Sequence, residues 1–177
     1  MNTTYDNFLH SKIEVAPVSG FQVPEAALNP ALKPHQKNAV LWAVKGGRRA
    51  LFESFGLGKT VQELEWCRLV AQHEGGKVLI VLPLGVRQEF CRDAVELLGM
   101  EPPAYIRTMA EAEAATGQIL LTNYERVRDG DIDPGRFCGV ALDEASVLRS
   151  YGSKTFQQFM ILFKGVRYKL VATATPS

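Results

Sequence analysis

The sequence lacks several features that mark whole classes of protein. Its three cysteines, Cys67, Cys91 and Cys138, are scattered and have no metal-ligand spacing, which suits reduced thiols in a cytoplasmic protein. No stretch of 18 apolar residues occurs, and the N-terminal residues lack the basic start and apolar centre of a signal peptide. We therefore expect a soluble, cytoplasmic chain with no membrane partner.

An excess of charge of either sign is also missing. Twenty Lys and Arg residues face 19 Asp and Glu residues, for a net charge of +1. No global field would draw such a protein toward nucleic acid or an anionic membrane, so any such binding must use a local patch. The 177 residues are 46% hydrophobic, which is enough for one well-cored domain and short for two.

Metal-binding and catalytic-nucleophile motifs are absent as well. Asp129, Asp131 and Asp133 begin like a calcium loop. However, Pro134 replaces the required glycine and Val140 stands where the bidentate glutamate belongs, which excludes that loop. The three histidines are dispersed and form no metal set, and no nucleophile-elbow sequence occurs.

Short apolar runs alternate with helical patterns from residue 32 onward. The runs are 50–52, 78–82, 104–106, 119–121, 140–142 and 170–172, and helices are predicted at 59–73, 86–98 and 154–164. Unbroken apolar strands imply burial on both faces. The sequence therefore predicts an α/β fold with a mostly parallel sheet and helices on both faces. Residues 1–31 carry prolines and little periodicity, and we expect an irregular segment lying over the domain formed by 32–177.

The periodicity of the helices predicts which faces are buried. The first would bury Val61, Leu64, Cys67 and Ala71, the second Val86, Phe90 and Leu97, and the third Phe156, Phe159, Met160 and Phe163. A stripe such as the last is more often part of a core than a binding surface.

The most informative segment is 55–61, which joins the first apolar run to the first helix. Gly56 and Gly58 let the backbone approach an anion, and Lys59 and the Thr60 hydroxyl fall at the first helical turn. This pattern predicts a phosphate-binding loop. The usual first glycine is replaced by Glu53, so a glycine-rich turn capped by a solvated lysine is the alternative.

Two later runs end in polar residues. Asp143 and Glu144 follow 140–142, where an aspartate could hold Mg²⁺ and a glutamate could deprotonate water. An acidic pair capping the next helix is the alternative. Thr173 and Thr175 follow 170–172 and could hydrogen-bond the acidic pair, although ordinary turn chemistry before a proline explains them equally well.

Three further segments could contact a ligand. Gln36, at a predicted helix start, offers the paired donor and acceptor that an adenine edge requires. Arg87, Thr122, Asn123 and Arg126 lie where two runs end and suit contacts to the phosphates and sugars of a polymer. Exposed arginines at loop ends are often merely solvated, so that alternative stays open.

Taken in order, these segments resemble the first motor domain of superfamily-two helicases and translocases, the DEAD/DEAH-type and Swi/Snf-like ATPases of bacteria and phages. The match covers about 32–177. The first three segments resemble the adenine-reading motif (Leu32-Lys33-Pro34-His35-Gln36), motif I (Phe55-Gly56-Leu57-Gly58-Lys59-Thr60) and motif Ia (Val81-Leu82-Pro83-Leu84). The next resembles the strand-contacting motif that follows motif Ia (Leu121-Thr122-Asn123-Tyr124-Glu125). The last two resemble the DEAD/DEAH box (Asp143-Glu144-Ala145-Ser146) and motif III (Thr173-Ala174-Thr175-Pro176). The Swi/Snf-like form of motif I also carries an acidic residue at the position of Glu53.

The resemblance implies a RecA-like P-loop NTPase domain that hydrolyses ATP with Mg²⁺ to move on nucleic acid, either DNA or RNA, with DNA favoured over RNA. It implies an ATP site formed by Gln36, Gly56, Leu57, Gly58, Lys59 and Thr60, with Lys59, Asp143 and Glu144 in catalysis. It implies Mg²⁺ held by Thr60 and Asp143, nucleic-acid contacts from Arg87, Thr122 and Asn123, and coupling through Thr173 and Thr175. Ser146 stands where the family has His or Asp.

The sequence ends directly after motif III. The resemblance therefore implies a second RecA-like domain in cis within a longer protein, and we expect the isolated chain to be monomeric. Without the arginine finger of a second domain, worth on the order of 10³–10⁵ in rate, we expect weak ATP binding and poor hydrolysis. Two alternatives remain, namely a P-loop enzyme such as a kinase that ignores nucleic acid, and a non-catalytic binding module.

Overall fold

The computed structural model describes residues 17–54 and 56–174, with all of their side chains except those of 149–151 and 153–155. The strands are β1 (Arg48–Phe52), β2 (Val78–Leu82), β3 (Ala104–Tyr105), β4 (Ile119–Asn123), β5 (Gly139–Asp143) and β6 (Tyr168–Thr173). They form one sheet in the order β1-β6-β5-β2-β4-β3, and every neighbouring pair is parallel. The predicted α/β fold with a parallel sheet is confirmed, and each predicted apolar run falls on a strand.

Six α-helices occur in the described part of the chain. They are α1 (Pro34–Gly46), α2 (Lys59–Glu74), α3 (Arg87–Glu96), α4 (Met109–Ala114), α5 (Tyr124–Arg128) and α6 (Gly152–Lys164). Short 3₁₀ turns lie at Glu25–Ala27, Leu84–Val86, Pro134–Arg136 and Ala145–Tyr151. None of the described helices has the length and apolar character needed to span a bilayer.

The sheet separates two apolar cores. All five side chains of β2 are buried, and they alternate between the faces because successive strand residues point in opposite directions. Val78, Ile80 and Leu82 join the core that contains α1, α2 and α3. Leu79 and Val81 join the core beneath α5 and α6. This two-sided burial is the reason why the strand sequences are unbroken apolar runs.

The predicted faces of the helices are correct for α2 and only partly correct for α3 and α6. All four predicted positions of α2 are buried. Beyond the end of α3, Leu97 is 51% exposed while Leu98 is buried, because the helix ends at Glu96 and the chain turns there.

On α6, Phe159 and Phe163 are buried but Phe156 and Met160 are 45% and 57% exposed. The helix rests on the sheet along the line of Phe159 and Phe163, whose rings lie 5.8 Å apart, and Phe159 also packs 6.0 Å from the ring of Tyr124. The prediction that the whole stripe is core was therefore wrong for half of its members.

Residues 17–31 lie against the domain and contain no regular element other than the 3₁₀ turn at Glu25–Ala27. The backbone N–H groups of Gly20 and Phe21 donate to carbonyl groups near the end of α1. Leu28 is buried in the core, and the N–H of Asn29 donates to Glu65 over 2.8 Å. This segment is therefore part of the packed structure.

Because all strands are parallel, their carboxyl ends meet at one edge of the sheet. The loop after β1 and the residues that follow β5 are separated there only by the end of β6. The ends of β2, β4 and β3 form the other half of the same edge. Ligand sites of open α/β sheets lie at this edge, so the strand order decides which polar residues meet.

Candidate nucleotide and nucleic-acid site

The loop between β1 and α2 has the backbone conformation of an anion cradle. Gly56 and Gly58 have φ values of 82° and 78°, in the left-handed region that glycine enters without steric cost. A Cβ atom on Gly56 would meet nothing within 4 Å, whereas one on Gly58 would lie 2.3 Å from Nε2 of Gln36. The loop is therefore open at Gly56, where an anion could approach, and tightly packed at Gly58, where α2 begins.

Two buried glutamines hold the loop in place. Gln36 donates from Nε2 to the carbonyl of Leu57 over 3.1 Å, and its Oε1 accepts from the N–H of Lys33 over 2.9 Å. Gln62 donates to Oε2 of Glu53 over 2.7 Å. In this arrangement Gln36 supports the phosphate loop, and its reading of adenine stays a prediction. Glu53, at the place of the missing glycine, is a hydrogen-bond acceptor that fixes the start of the loop.

The side chain of Lys59 is folded against the loop. Its Nζ donates to the carbonyl of Glu53 over 3.0 Å and to that of Ser54 over 3.4 Å. An ammonium group held among carbonyl oxygens at the mouth of the loop carries the positive charge that a polyphosphate needs.

The acidic pair faces this loop. Gly56, Gly58, Lys59 and Thr60 line one cavity of about 400 Å³ together with Asp143 and Glu144, and Pro83, Val86, Glu89 and Asp93 complete its wall. The prediction on which the nucleotide site depends was that the loop after the first strand and the carboxylates after a later one share a pocket. The cavity brings them together.

Glu144 has an unusual backbone and a well-defined side chain. Its φ of 49° is the only positive value among the described residues other than glycine, and such a residue costs on the order of 1–3 kcal/mol. Its Oε1 accepts from the hydroxyl of Thr173 over 3.1 Å and also from the hydroxyl of Ser146. The turn directs the carboxylate toward the wall of the cavity, and the two hydroxyl groups hold the carboxylate in that position.

Asp143 is packed in a largely buried acidic environment. Burial raises the pKa of Asp143 to about 6, an effect that the charge of Glu144 reinforces and that the facing Glu63 side chain and Lys59 oppose. Glu63 is fully buried on α2, one helical turn after Lys59. Burial, followed by the charge of Asp143, raises the pKa of Glu63 well above its ordinary range.

The residues present fit ATP and Mg²⁺. The loop offers an open anion cradle at Gly56, Lys59 offers an ammonium group, and Thr60 and Asp143 offer a hydroxyl and one carboxylate in the same cavity. Mg²⁺ is typically held by one or two carboxylates together with phosphate oxygens and water. Within the described ranges no group of three or more His, Cys, Asp or Glu side chains could hold a metal ion by itself, so the phosphates would have to complete the coordination.

A second group of side chains lies at the ends of β2, β3 and β4. The guanidinium carbon of Arg87 sits 4.7 Å from the centre of the Tyr105 ring. The Tyr105 hydroxyl donates to Oδ1 of Asn123 over 3.1 Å, and Nδ2 of Asn123 donates to Glu125 over 2.7 Å. The structure thus brings together Arg87 and Asn123, two of the residues that the sequence predicts to contact nucleic acid.

Thr122 does not join this group, which corrects the sequence-based expectation. Thr122 is fully buried, and its hydroxyl donates to the carbonyl of Ile106 over 3.0 Å. Both faces of β4 are covered, so Thr122 within the strand is buried like Leu120 and Leu121 before it, whereas Asn123 ends the strand and is only half-buried. Arg126 is half-buried and pairs with Asp131 over 2.8 Å.

Several candidate functional residues carry no motif that would reveal them from the sequence alone. Tyr105 stands on a strand of two residues, and Gln62 and Glu63 are buried polar residues of α2 that belong to no motif. Only the placement of Gln62 and Glu63 one turn after the loop could have drawn attention to them. Phe55 and Thr175, which the sequence singled out, lie outside the described residues.

No protein-family model matches the chain, and neither does any curated protein. Solved structures do share its fold. The SWI2/SNF2 ATPase core of Sulfolobus solfataricus in complex with dsDNA superposes with a TM-score of 0.66 at 20% identity, over 88% of this chain and 35% of that chain. The UvsW helicase of bacteriophage T4 matches in two structures, each with a TM-score of 0.67 at 16% identity over 99% of this chain, and over 60% and 34% of the respective UvsW chains.

The expected resemblance to the RecA-like domain of helicases and Swi/Snf-like ATPases is confirmed at the level of the fold. The chain spans between about a third and three fifths of the length of these structures.

Proposed function

We propose that the chain is the ATP-binding half of a motor that couples ATP hydrolysis to movement on nucleic acid, as a helicase or translocase. One observation carries this proposal: Lys59 and Thr60 share a cavity with Asp143 and Glu144. The helicase-like fold supports it. A glycine-rich turn with a solvated lysine, or an acidic pair that only caps a helix, would not require these groups to face one another.

The side chains divide the work as follows. ATP with Mg²⁺ supplies a phosphoanhydride bond whose phosphates the metal polarises. Lys59 neutralises charge on the β- and γ-phosphates, exchanging its present contacts with loop carbonyls for phosphate oxygens. Thr60 and Asp143 hold the metal. Leu57 and the two glycines contribute backbone N–H groups, and Gln36 supports the loop and reads the base.

Glu144 is the group that accepts a proton from the attacking water. Its Oε1 accepts hydrogen bonds from Thr173 and Ser146, and within the described residues no donor contacts Oε2. One oxygen is therefore fixed by the protein while the other is available to water. Thr173, at the end of β6, connects the proton acceptor to a separate strand and is the proposed coupling residue, with Thr175 beyond it.

The nucleic acid lies along the ends of β2, β3 and β4 in this proposal. Arg87 and Asn123 contact its phosphates and sugars there. The Sulfolobus solfataricus structure contains dsDNA, which favours DNA as the partner. A second RecA-like domain in cis, a cytoplasmic location and a monomeric state of the isolated chain belong to the same proposal.

Nucleotide binding by charge-matched variants tests the proposal. Lys59→Ala should abolish ATP binding measured by calorimetry in the presence of Mg²⁺. Lys45→Ala, which removes an equal charge from an exposed position on α1, should bind like the unsubstituted chain. Equal ATP affinity in the Lys59 variant would contradict the nucleotide site. ATP turnover that ignores added DNA and RNA in a protein containing this domain would favour a kinase-like enzyme instead.

A further inference from the structure

We infer that Tyr105 is a positioning residue that joins Arg87 and Asn123 into one preformed platform for the phosphate backbone of a nucleic-acid strand. The inference rests on the proposed function and adds to it a residue that none of the sequence motifs contains. Tyr105 occupies the end of the edge strand β3, beside β4. Its ring and its hydroxyl each contact a different member of the platform.

The ring of Tyr105 restrains Arg87. The guanidinium group lies over the ring face, 4.7 Å from the centre, at a distance where the ring quadrupole attracts a cation. Within 17–54 and 56–174, no carboxylate lies within ion-pairing distance of Arg87. A guanidinium that stacks on a ring keeps the N–H groups of its plane available, so Arg87 can still donate to a phosphate.

The hydroxyl of Tyr105 restrains the strand beside it. It donates to Oδ1 of Asn123 over 3.1 Å, which fixes the orientation of the side-chain amide. One phenol ring therefore connects groups from two other segments of the chain, α3 and β4.

The surroundings of the platform suit an extended strand. Leu84, Gly85, Arg87, Gln88 and Cys91 line a surface concavity of about 660 Å³. Leu84 is 56% exposed in it, which gives a sugar or a base an apolar surface beside the cationic group. Preorganised contacts cost less side-chain entropy on binding than free ones, which is why holding Arg87 and Asn123 should raise affinity.

The test measures binding of the chain to labelled single-stranded DNA, with the matching RNA in parallel, over a series of salt concentrations. Tyr105→Leu removes ring and hydroxyl, and it should weaken binding about threefold to tenfold and lower the slope of log K against log salt. Arg87→Ala should lower that slope by about 0.7. Tyr105→Phe keeps the ring, so it should weaken binding about twofold to fivefold and leave the slope unchanged.

A double-mutant cycle separates positioning from direct contact. Tyr105→Leu should weaken binding less in an Arg87→Ala background than in the unsubstituted chain, because the residue acts partly through Arg87. Full additivity would overturn the positioning role. Arg49→Ala supplies a matched control, since Arg49 stacks on Trp42 with 5.3 Å between guanidinium carbon and ring centre. Arg49 lies on β1, the outer strand on the side of the sheet opposite to β3. Its substitution should therefore not change the affinity for nucleic acid.

The outcomes distinguish this inference from the function on which it rests. If the unsubstituted chain binds nucleic acid, and the Tyr105→Leu and Tyr105→Phe variants bind it as tightly as the unsubstituted chain does, the positioning role is wrong and the proposed function stands. If the unsubstituted chain binds neither DNA nor RNA at low salt, the nucleic-acid part of the proposed function fails, and the inference fails with it. Thermal unfolding of each variant establishes that it is folded.

Discussion

The hydroxyl of Thr173 at the end of β6 donates a hydrogen bond to Oε1 of Glu144, with 3.1 Å between the two oxygens. β5 and β6 are neighbours, and Asp143 is aligned with Ala172, so the next residues, Glu144 and Thr173, fall side by side. Glu144 and Thr173 lie 29 residues apart in the sequence, and strand pairing alone brings them together. This contact links the proposed proton acceptor to the segment that the sequence predicts to couple hydrolysis to movement.

Removing the hydroxyl of Thr173 should slow hydrolysis without weakening nucleotide binding. Thr173→Val keeps the shape of this buried side chain but leaves one oxygen of Glu144 less restrained. A hydrogen bond to a charged group is worth about 1.5–3 kcal/mol, so single-turnover hydrolysis of ATP should fall about tenfold to a hundredfold. Thr173→Ser retains the donor and should recover most of the rate. An unchanged rate in the valine variant would show that the contact has no role in catalysis.

Gly58→Ala should damage both stability and ATP binding. The new Cβ would lie 2.3 Å from Nε2 of Gln36 at a residue with φ of 78°, so the loop must shift. Gly75→Ala is the matched control, because Gly75 also has a positive φ of 67° and nothing lies within 4 Å of its added Cβ. The control should lose about 1–2 kcal/mol of unfolding free energy and keep its ATP affinity. Equal behaviour of the two variants in denaturation and calorimetry would mean that the Gln36 contact is unimportant.

The unfolding free energy of the nucleotide-free chain should fall as the pH rises through about 6. The pKa of Asp143 is raised to about 6 in the folded chain, above its value in an unfolded chain, so the folded state holds more protons between the two values. Stability is then greatest on the acidic side of this window and is lost as Asp143 ionises.

The neighbouring Glu63, whose pKa is also raised, acts in the same direction. Asp143→Asn removes one titrating group, and urea denaturation across this pH range should show a shallower decline for the variant. A decline of equal steepness would exclude Asp143 as its source.

Substitution of Thr122 should lower mainly the stability of the chain, whereas substitution of Asn123 should lower mainly its affinity for DNA. Thr122→Val removes a buried hydroxyl that donates to Ile106, and should cost about 0.5–1.5 kcal/mol of stability with no change in affinity for DNA. Asn123→Ala removes a half-buried amide at the proposed interface, and should weaken DNA binding with a smaller effect on stability. Fluorescence anisotropy and chemical denaturation on the same samples separate the two effects. Loss of DNA affinity in a stably folded Thr122 variant would restore the original expectation.

The sequence by itself determined the strands, the long helix after the phosphate loop and the edge of the sheet where the motifs meet. Buried parallel strands require unbroken apolar runs, and a loop that turns around an anion requires glycine, so both leave a local signature. Once the strands are parallel, the polar residues that follow Phe52 and Leu142 must lie at the same edge. Lys59 and Asp143 could therefore be expected at one edge of the sheet from the sequence alone.

Only the tertiary structure decided which of these groups touch. Strand order and register bring Thr173 to Glu144 and Tyr105 to Asn123, and neither is encoded in hydrophobic periodicity. Thr122 is buried because helices cover both faces of β4, so a residue inside the strand is enclosed whichever face it points to. The exposed half of the α6 stripe has the same origin, because a helix buries only the side that lies against the sheet.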